Sequence, residues 1–283
     1  MLFGPSIIAR SLSRPLRADR YGNIWQYHPQ SDRHSKIACW AIMFDLLRSS
    51  EVVRNHAASQ RIGFGINHEM ADFKQNRRKN LDLVLCRPAP SRARAAHLSF
   101  KSLTEKYGIV LDPNEVDALT HLPDVMNTGV ASVLMALEAK ACMTAHQRAL
   151  PRLYDELNSS HLTTHGANDH ALAVGFVMIN ASDVFLSPSL NKANRTSNPV
   201  WSRHRQPKDT EITIRKVEQL PRRTRAGQEG YDAIGIVVVN CRNDGHPVSI
   251  VENGPAPLAL DIYSYGQMVE RAASLYASRF REF

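Results

Sequence analysis

The apolar positions of SKIACWAIMFDLLRSSEVVRNHAA recur at helical spacing. Ile37, Trp40, Ala41, Phe44, Leu47 and Val52 fall on one stripe, and Ser35 stands as an N-cap. The texture then turns polar and basic through GFGINHEMADFKQNRRKN, where Gly63 and Gly65 predict a bend. In LDLVLCRP the period becomes two: Leu81, Leu83 and Leu85 point one way, Asp82, Val84 and Cys86 the other. This predicts a strand with an acid at its start, ended by Pro88 and Pro90. Residues 98–120 predict two short helices divided between Gly108 and Pro113. The run VASVLMALEAKA predicts an apolar strand that finishes in Glu138-Ala139-Lys140. MTAHQRALPRLYDELNSSH follows as a helix, with Thr144 as its N-cap and Pro151 as an interruption or second start. ALAVGFVMIN and IGIVVVN predict buried strands. YSYGQMVERAASLYASRF closes the chain as a helix with Met268, Ala272, Leu275, Tyr276 and Phe280 on its apolar side.

Helices alternating with strands predict an α/β fold, a central mixed sheet flanked by helices. Four segments are expected: a basic arm and helix packing on the core (1–64), the core itself (65–185), a basic loop and helix (186–230), and a strand and helix completing the core (231–283). The first twenty residues could be taken for an organellar leader. Pro5 and Pro15 would break a long amphipathic helix there, so a basic arm is the expectation.

Charge alters this picture. The 35 Lys and Arg exceed the 27 Asp and Glu, giving a net charge of +8. The excess is concentrated in two places. Residues 74–94 carry seven cations against Asp82 alone, and residues 186–226 carry ten against three acids. Such blocks predict a polyanionic partner and no membrane. Trp201 and His204 in the second block could stack on bases. Cys39, Cys86, Cys142 and Cys241 form no CxxC pair, which predicts reduced thiols and a cytoplasmic protein. Motifs for nucleotide cradling and for serine esterases are absent from the sequence. The run NSSHLTTHGANDH holds His161, His165 and His170 without an acid or Cys at a ligand interval, so metal binding is not expected there.

The remaining chemistry lies in Asp82 and Glu138-Ala139-Lys140. On a strand Glu138 and Lys140 face one side. Two carboxylates with a lysine fit metal-assisted phosphodiester hydrolysis, the acids holding Mg²⁺ and the ammonium meeting transition-state charge. An acid on a strand, an apolar strand ending in (D/E)xK, and a following helix resemble the PD-(D/E)xK restriction-endonuclease-like nucleases over residues 65–185.

The resemblance implies a restriction-endonuclease-like core and an Mg²⁺-dependent DNA endonuclease, with type II restriction enzymes among the candidates. Asp82 and Glu138 would ligate the metal and Lys140 would orient water. Asp124, which follows Pro123 literally, is the alternative first acid, and Glu69, expected on a helix before the first core strand, a possible further one. DNA contacts are expected from Lys74, Arg77, Arg78, Lys79, Arg148, Arg152, Arg203, Arg205, Arg222 and Arg223. Arg148 and Arg152, four apart, would share a helix face as a phosphate clamp, or Arg152 would simply pair with Glu156. A homodimer is the accompanying expectation, since cutting two strands calls for two sites. The alternative is a DNA-binding protein without catalysis on a degenerate nuclease-like core.

Overall fold

The computed structural model describes residues 2–15, 18–72, 75–89, 98–192 and 198–283. Its strands are β1 (Gly63–Asp72), β2 (Arg77–Pro88), β3 (Val130–Cys142), β4 (Leu172–Asn180), β5 (Val184–Leu186), β6 (Trp201–Arg203), β7 (Ala233–Asn240) and β8 (Ser249–Ile250). The helices are α1 (Gly4–Ser13), α2 (Arg33–Ser49), α3 (Glu51–Ala58), α4 (Leu103–Tyr107), α5 (Pro113–His121), α6 (His146–Ala167), α7 (Lys208–Glu218) and α8 (Tyr265–Phe280).

One six-stranded mixed sheet has the order β1-β2-β3-β4-β7-β8, and β5 pairs separately with β6. β1, β2 and β3 form an antiparallel meander, while β3, β4 and β7 run parallel and β8 closes the edge antiparallel. Every residue of β4 is buried. A parallel strand with helices on both faces has no solvent side, and LAVGFVMIN shows the resulting unbroken apolar run.

One face of the sheet packs on α1, α2 and α8, where the Trp40 ring stacks between Phe44 (5.3 Å) and Phe100 (4.8 Å). The other face is covered by α6 and α7. Among the described residues no helix is long and apolar enough to cross a membrane. All four cysteines are buried and free.

Several expectations are corrected. The N-terminal segment is no arm: α1 buries Ile7, Ile8 and Leu12. Pro5 lies in its first turn, where no backbone N–H is needed. The Asp45 carboxylate caps it by accepting from the N–H groups of Phe3 (3.0 Å) and Gly4 (2.7 Å). Residues 63–72, read as a polar bend, form edge strand β1, so Glu69 sits on a strand and is paired with Arg78 on β2 (3.4 Å). Gly63 marks close approach to the neighbouring segment: a Cβ there would come within 2.3 Å of Thr128 Oγ1.

Part of the supposed loop in 186–230 is strand β6, and the expected basic helix is α7, which begins at Lys208. Helix α6 runs through Pro151 to Ala167 and takes up His161 and His165, both buried. The carbonyl freed by Pro151 belongs to Gln147, which is exposed and can bond to water.

Candidate active site

β2 and β3 pair regularly only as far as Leu83 opposite Leu137. Beyond that point the start of β2 pairs with β1 alone, and the end of β3 pairs with β4 alone. The two strands therefore form a fork, with Asp82 on one prong and Glu138 on the other. Asp82 Oδ2 accepts the Ala139 N–H (2.9 Å), which has no ladder partner on β2. Its Oδ1 accepts from Ser35 Oγ on α2 (3.1 Å). The carboxyl is thus fixed at the mouth of the fork by one backbone and one side-chain donor.

Glu138 is 3% exposed. Its Oε1 lies 2.8 Å from Lys140 Nζ and 3.7 Å from Lys79 Nζ. Its Oε2 is buried without a hydrogen-bond partner. Lys140 also reaches Glu156 Oε2 on α6 (3.4 Å), and Glu156 Oε1 accepts from Arg152 Nε (2.6 Å). Lys79 donates to the Glu156 carbonyl and to Ser159 Oγ (2.9 Å). Three carboxylates and three cations meet across β2, β3 and α6.

Burial, followed by the nearby charge of Glu138, pushes the Asp82 carboxyl up to about 6. Burial also lowers Lys79. Burial alone would lower Lys140 too, but the charge and hydrogen bond of Glu138, with Asp82 and Glu156 behind it, outweigh that and raise it above the usual lysine value. His34, beside the same groove and 5.0 Å from the Tyr27 ring, is held down at about 4 by burial and then by Lys140. The groove is about 380 Å³ and is lined by Lys140, Glu156, Arg152, Tyr27, His34 and Thr144, among others.

Among the described residues no group of three or more His, Cys, Asp and Glu is arranged to cage a metal. Mg²⁺ does not require one: it keeps several waters and takes one or two carboxylates plus substrate phosphate. Asp82, Glu138 and the unpartnered Glu138 Oε2 fit that demand.

Of the other expected acids, Asp124 is exposed and accepts the Lys101 N–H (3.0 Å), so it serves the turn before β3. The expected DNA-binding cations divide by surroundings. Arg77 pairs with Asp72 (3.1 Å), and Arg78 with Glu69 at the edge of the sheet. Lys79 belongs to the fork itself. Arg148, Arg203 and Arg205 are exposed around one cavity, while Arg152 is exposed but engaged by Glu156. Arg222 lies over the Tyr263 ring (5.3 Å). Lys74 lies outside the described residues.

Arg223 cannot contact DNA. It is fully buried, with Nε on Asp232 Oδ1 (3.0 Å) and its other nitrogens on Asp169 and Ala171. Trp201 carries the Arg242 guanidinium over its ring (5.3 Å), and His204 bonds Thr144 and the Ser182 carbonyl.

Sequence reasoning missed Ser35 as a partner of Asp82 and Glu156 as the second acid on Lys140, and it took Lys79 for a DNA contact instead of a neighbour of Glu138. The approach of α6 to the end of β3 has no signal in the local sequence. The chain matches no protein-family model, no curated protein and no solved structure.

Proposed function

We propose that this protein is an Mg²⁺-dependent endonuclease that hydrolyses DNA phosphodiester bonds, on a core of the PD-(D/E)xK restriction-endonuclease-like kind. The observation that carries the reading is the β2–β3 fork: buried Glu138 keeps one carboxylate oxygen without a partner while Lys140 is clasped to the other. Leaving a buried acceptor unpaired costs about 1–3 kcal/mol, a cost that a cation bound at that oxygen would offset.

Asp82 and Glu138 would hold the ion, which when bound supplies Lewis-acid polarisation of the phosphate and a more acidic water. Lys140 directs its N–H groups at the attacking water and at the charge that develops on the phosphate oxygens. Glu156 positions Lys140 from the opposite side, and Arg152 in turn holds Glu156. The exposed arginines on α6 and β6 supply the salt-sensitive part of DNA affinity. A twofold dimer would place one such site on each strand.

The test is supercoiled plasmid incubated with the protein in Mg²⁺ or in EDTA. Nicked and linear product is expected only in Mg²⁺, and none from Glu138→Gln with an unchanged circular-dichroism spectrum. Cleavage by Glu138→Gln at the wild-type rate would remove the fork from the reaction. Binding without cleavage in both Mg²⁺ and Mn²⁺ would favour a non-catalytic DNA-binding protein.

A further inference from the structure

A second cavity, of about 560 Å³, opens between the loop before α2, the start of α2 and the end of α4. That volume lies within the range of small-ligand sites. Tyr27 and His34 line both this cavity and the Lys140 groove, so the two hollows share a wall. Ser35, the next residue of α2, is the one that holds Asp82 (3.1 Å).

The walls are rich in rings. Trp25, Tyr27 and Tyr107 are three of the fourteen wall residues, whereas aromatic residues make up only 7% of the chain. The His34 imidazole adds a fourth flat surface, 5.0 Å from the Tyr27 ring. Flat apolar faces of this kind are where a nucleobase stacks.

The charges on the walls do not balance. Asp19 is taken up by the Trp25 indole N–H (2.8 Å) and by the backbone N–H groups of Tyr21 (2.8 Å) and Asn23 (2.9 Å). Asp32 pairs with Lys36. Arg33 and the exposed Lys106 are left without a carboxylate partner among the described residues. Arg33 is half-buried, and its Nη2 donates to the carbonyls of Ser11 (2.7 Å) and Arg14 (2.9 Å). Its Nε and Nη1 are buried with nothing to donate to. Burial lowers the guanidinium below the usual arginine value, and no carboxylate restores it. Both idle groups are N–H donors on a cation, so the partner that satisfies them is an anion, and a phosphate oxygen pair matches the guanidinium fork.

We propose that this cavity binds one nucleotide, its base against the Trp25, Tyr27 and Tyr107 rings and its phosphate at Arg33 and Lys106. The source of that nucleotide rests on the nuclease reading: it is a unit of the bound strand beside the phosphate that is cut, with its base turned out of the stack. The affinity for a nucleotide does not rest on that reading.

The first arm titrates deoxyadenosine 5′-monophosphate, deoxyadenosine and inorganic phosphate separately into the full-length protein in EDTA, by calorimetry and tryptophan emission. The monophosphate should bind saturably and at least about tenfold tighter than the nucleoside, as charge-assisted bonds to its phosphate require. Arg33→Gln and Lys106→Glu should each cut that ratio severalfold while leaving nucleoside binding as it was, and Arg215→Ala, on exposed α7 surface, should not change it. Arg33 also ties down the end of α1, so Lys106→Glu, a change at an exposed position, decides the matter if Arg33→Gln melts early. Quenching of emission by the monophosphate should disappear in Trp25→Phe. No saturable binding up to about 10 mM, a ratio indifferent to Lys106→Glu, or quenching that survives Trp25→Phe would overturn the pocket.

The second arm uses Glu138→Gln in EDTA with a short duplex carrying 2-aminopurine in place of adenine. Its emission should rise on binding as a base leaves the stack, and much less with Arg33→Gln or Lys106→Glu added. Saturating duplex should also exclude the monophosphate. Simultaneous binding of duplex and monophosphate, without the rise in emission, would overturn the strand as the source and leave a site for a free nucleotide. Failure of wild type to cleave plasmid, with the first arm falling as described, would sink the nuclease reading and leave the nucleotide pocket standing.

Discussion

Lys140→Met is expected to slow plasmid cleavage by about a thousandfold, within the 10²–10⁴ range of a lost acid–base or electrostatic group. Met keeps the length and apolar body of the lysine stem and removes only the ammonium. That ammonium touches no expected DNA-gripping residue; it lies between Glu138 Oε1 (2.8 Å) and Glu156 Oε2 (3.4 Å). The loss should therefore fall on kcat, with KM for DNA near wild type, as for an interaction made in the transition state.

The same variant has a second signature. Removing one partner of a buried ion pair costs about 3–5 kcal/mol when the other charge is left uncompensated. Lys79, 3.7 Å from Glu138, offsets part of that. The melting temperature of Lys140→Met should fall, and Mg²⁺ should recover more of it than it adds to wild type. A fall in KM-dependent binding with kcat intact would place Lys140 in DNA gripping instead.

Asp82→Asn is expected to make the protein more stable at neutral pH and to abolish cleavage. Burial and the charge of Glu138 raise the Asp82 carboxyl from the ordinary 3.8 to about 6. A raised carboxyl means that the fold disfavours the ionised form. Below pH about 4 the group is protonated whether the chain is folded or not, and it costs nothing. Between about 4 and 6 the cost grows, and above about 6 it is fully present. A shift of this size corresponds to about 3 kcal/mol at neutral pH.

Asn keeps an oxygen for the Ala139 N–H and a donor for Ser35, so the cost should be relieved without loss of either bond. Urea unfolding at pH 7.5 should show a gain of up to about 3 kcal/mol that vanishes at pH 3.5. Stability gained by removing a charged group is what a preorganised functional site leads one to expect. A variant less stable than wild type at both pH values would show that the Asp82 carboxylate is structural.

Much of this site was legible because strand periodicity reports which residues share a face. The apolar run placed Asp82 on β2, although the expected alternation breaks there: Leu81 packs beside Val84 and not with Leu83 and Leu85. The two-residue spacing put Glu138 and Lys140 side by side on β3. The fork was not legible: it depends on where pairing between β2 and β3 stops, at Leu83 and Leu137, and no local pattern encodes that. Edge strand β1 was misread because its burial does not alternate: Gly63, Phe64 and Gly65 are all buried, and Asn67 takes a left-handed φ of 49° in mid-strand.

The charge pattern misled at Arg223. Its neighbours PRRTRA read as a basic surface, yet Asp232 and Asp169 draw it fully into the interior. Composition shows that a cation is present, and only tertiary structure shows whether it has been neutralised. The N-terminal helix was lost for a related reason. Pro5 breaks a helix interior but is welcome in a first turn, and the cap that makes it one comes from Asp45, some forty residues away.

The most direct measurement compares plasmid cleavage in Mg²⁺ by two variants, Asp82→Asn and Asp124→Asn, at equal concentration and matched folding. Asp124 holds a turn and lies outside the fork, whereas Asp82 stands at its mouth beside Glu138. Wild-type cleavage by Asp124→Asn and no detectable cleavage by Asp82→Asn, with DNA binding kept in both, is the predicted result. Cleavage by Asp82→Asn at the wild-type rate would contradict the account.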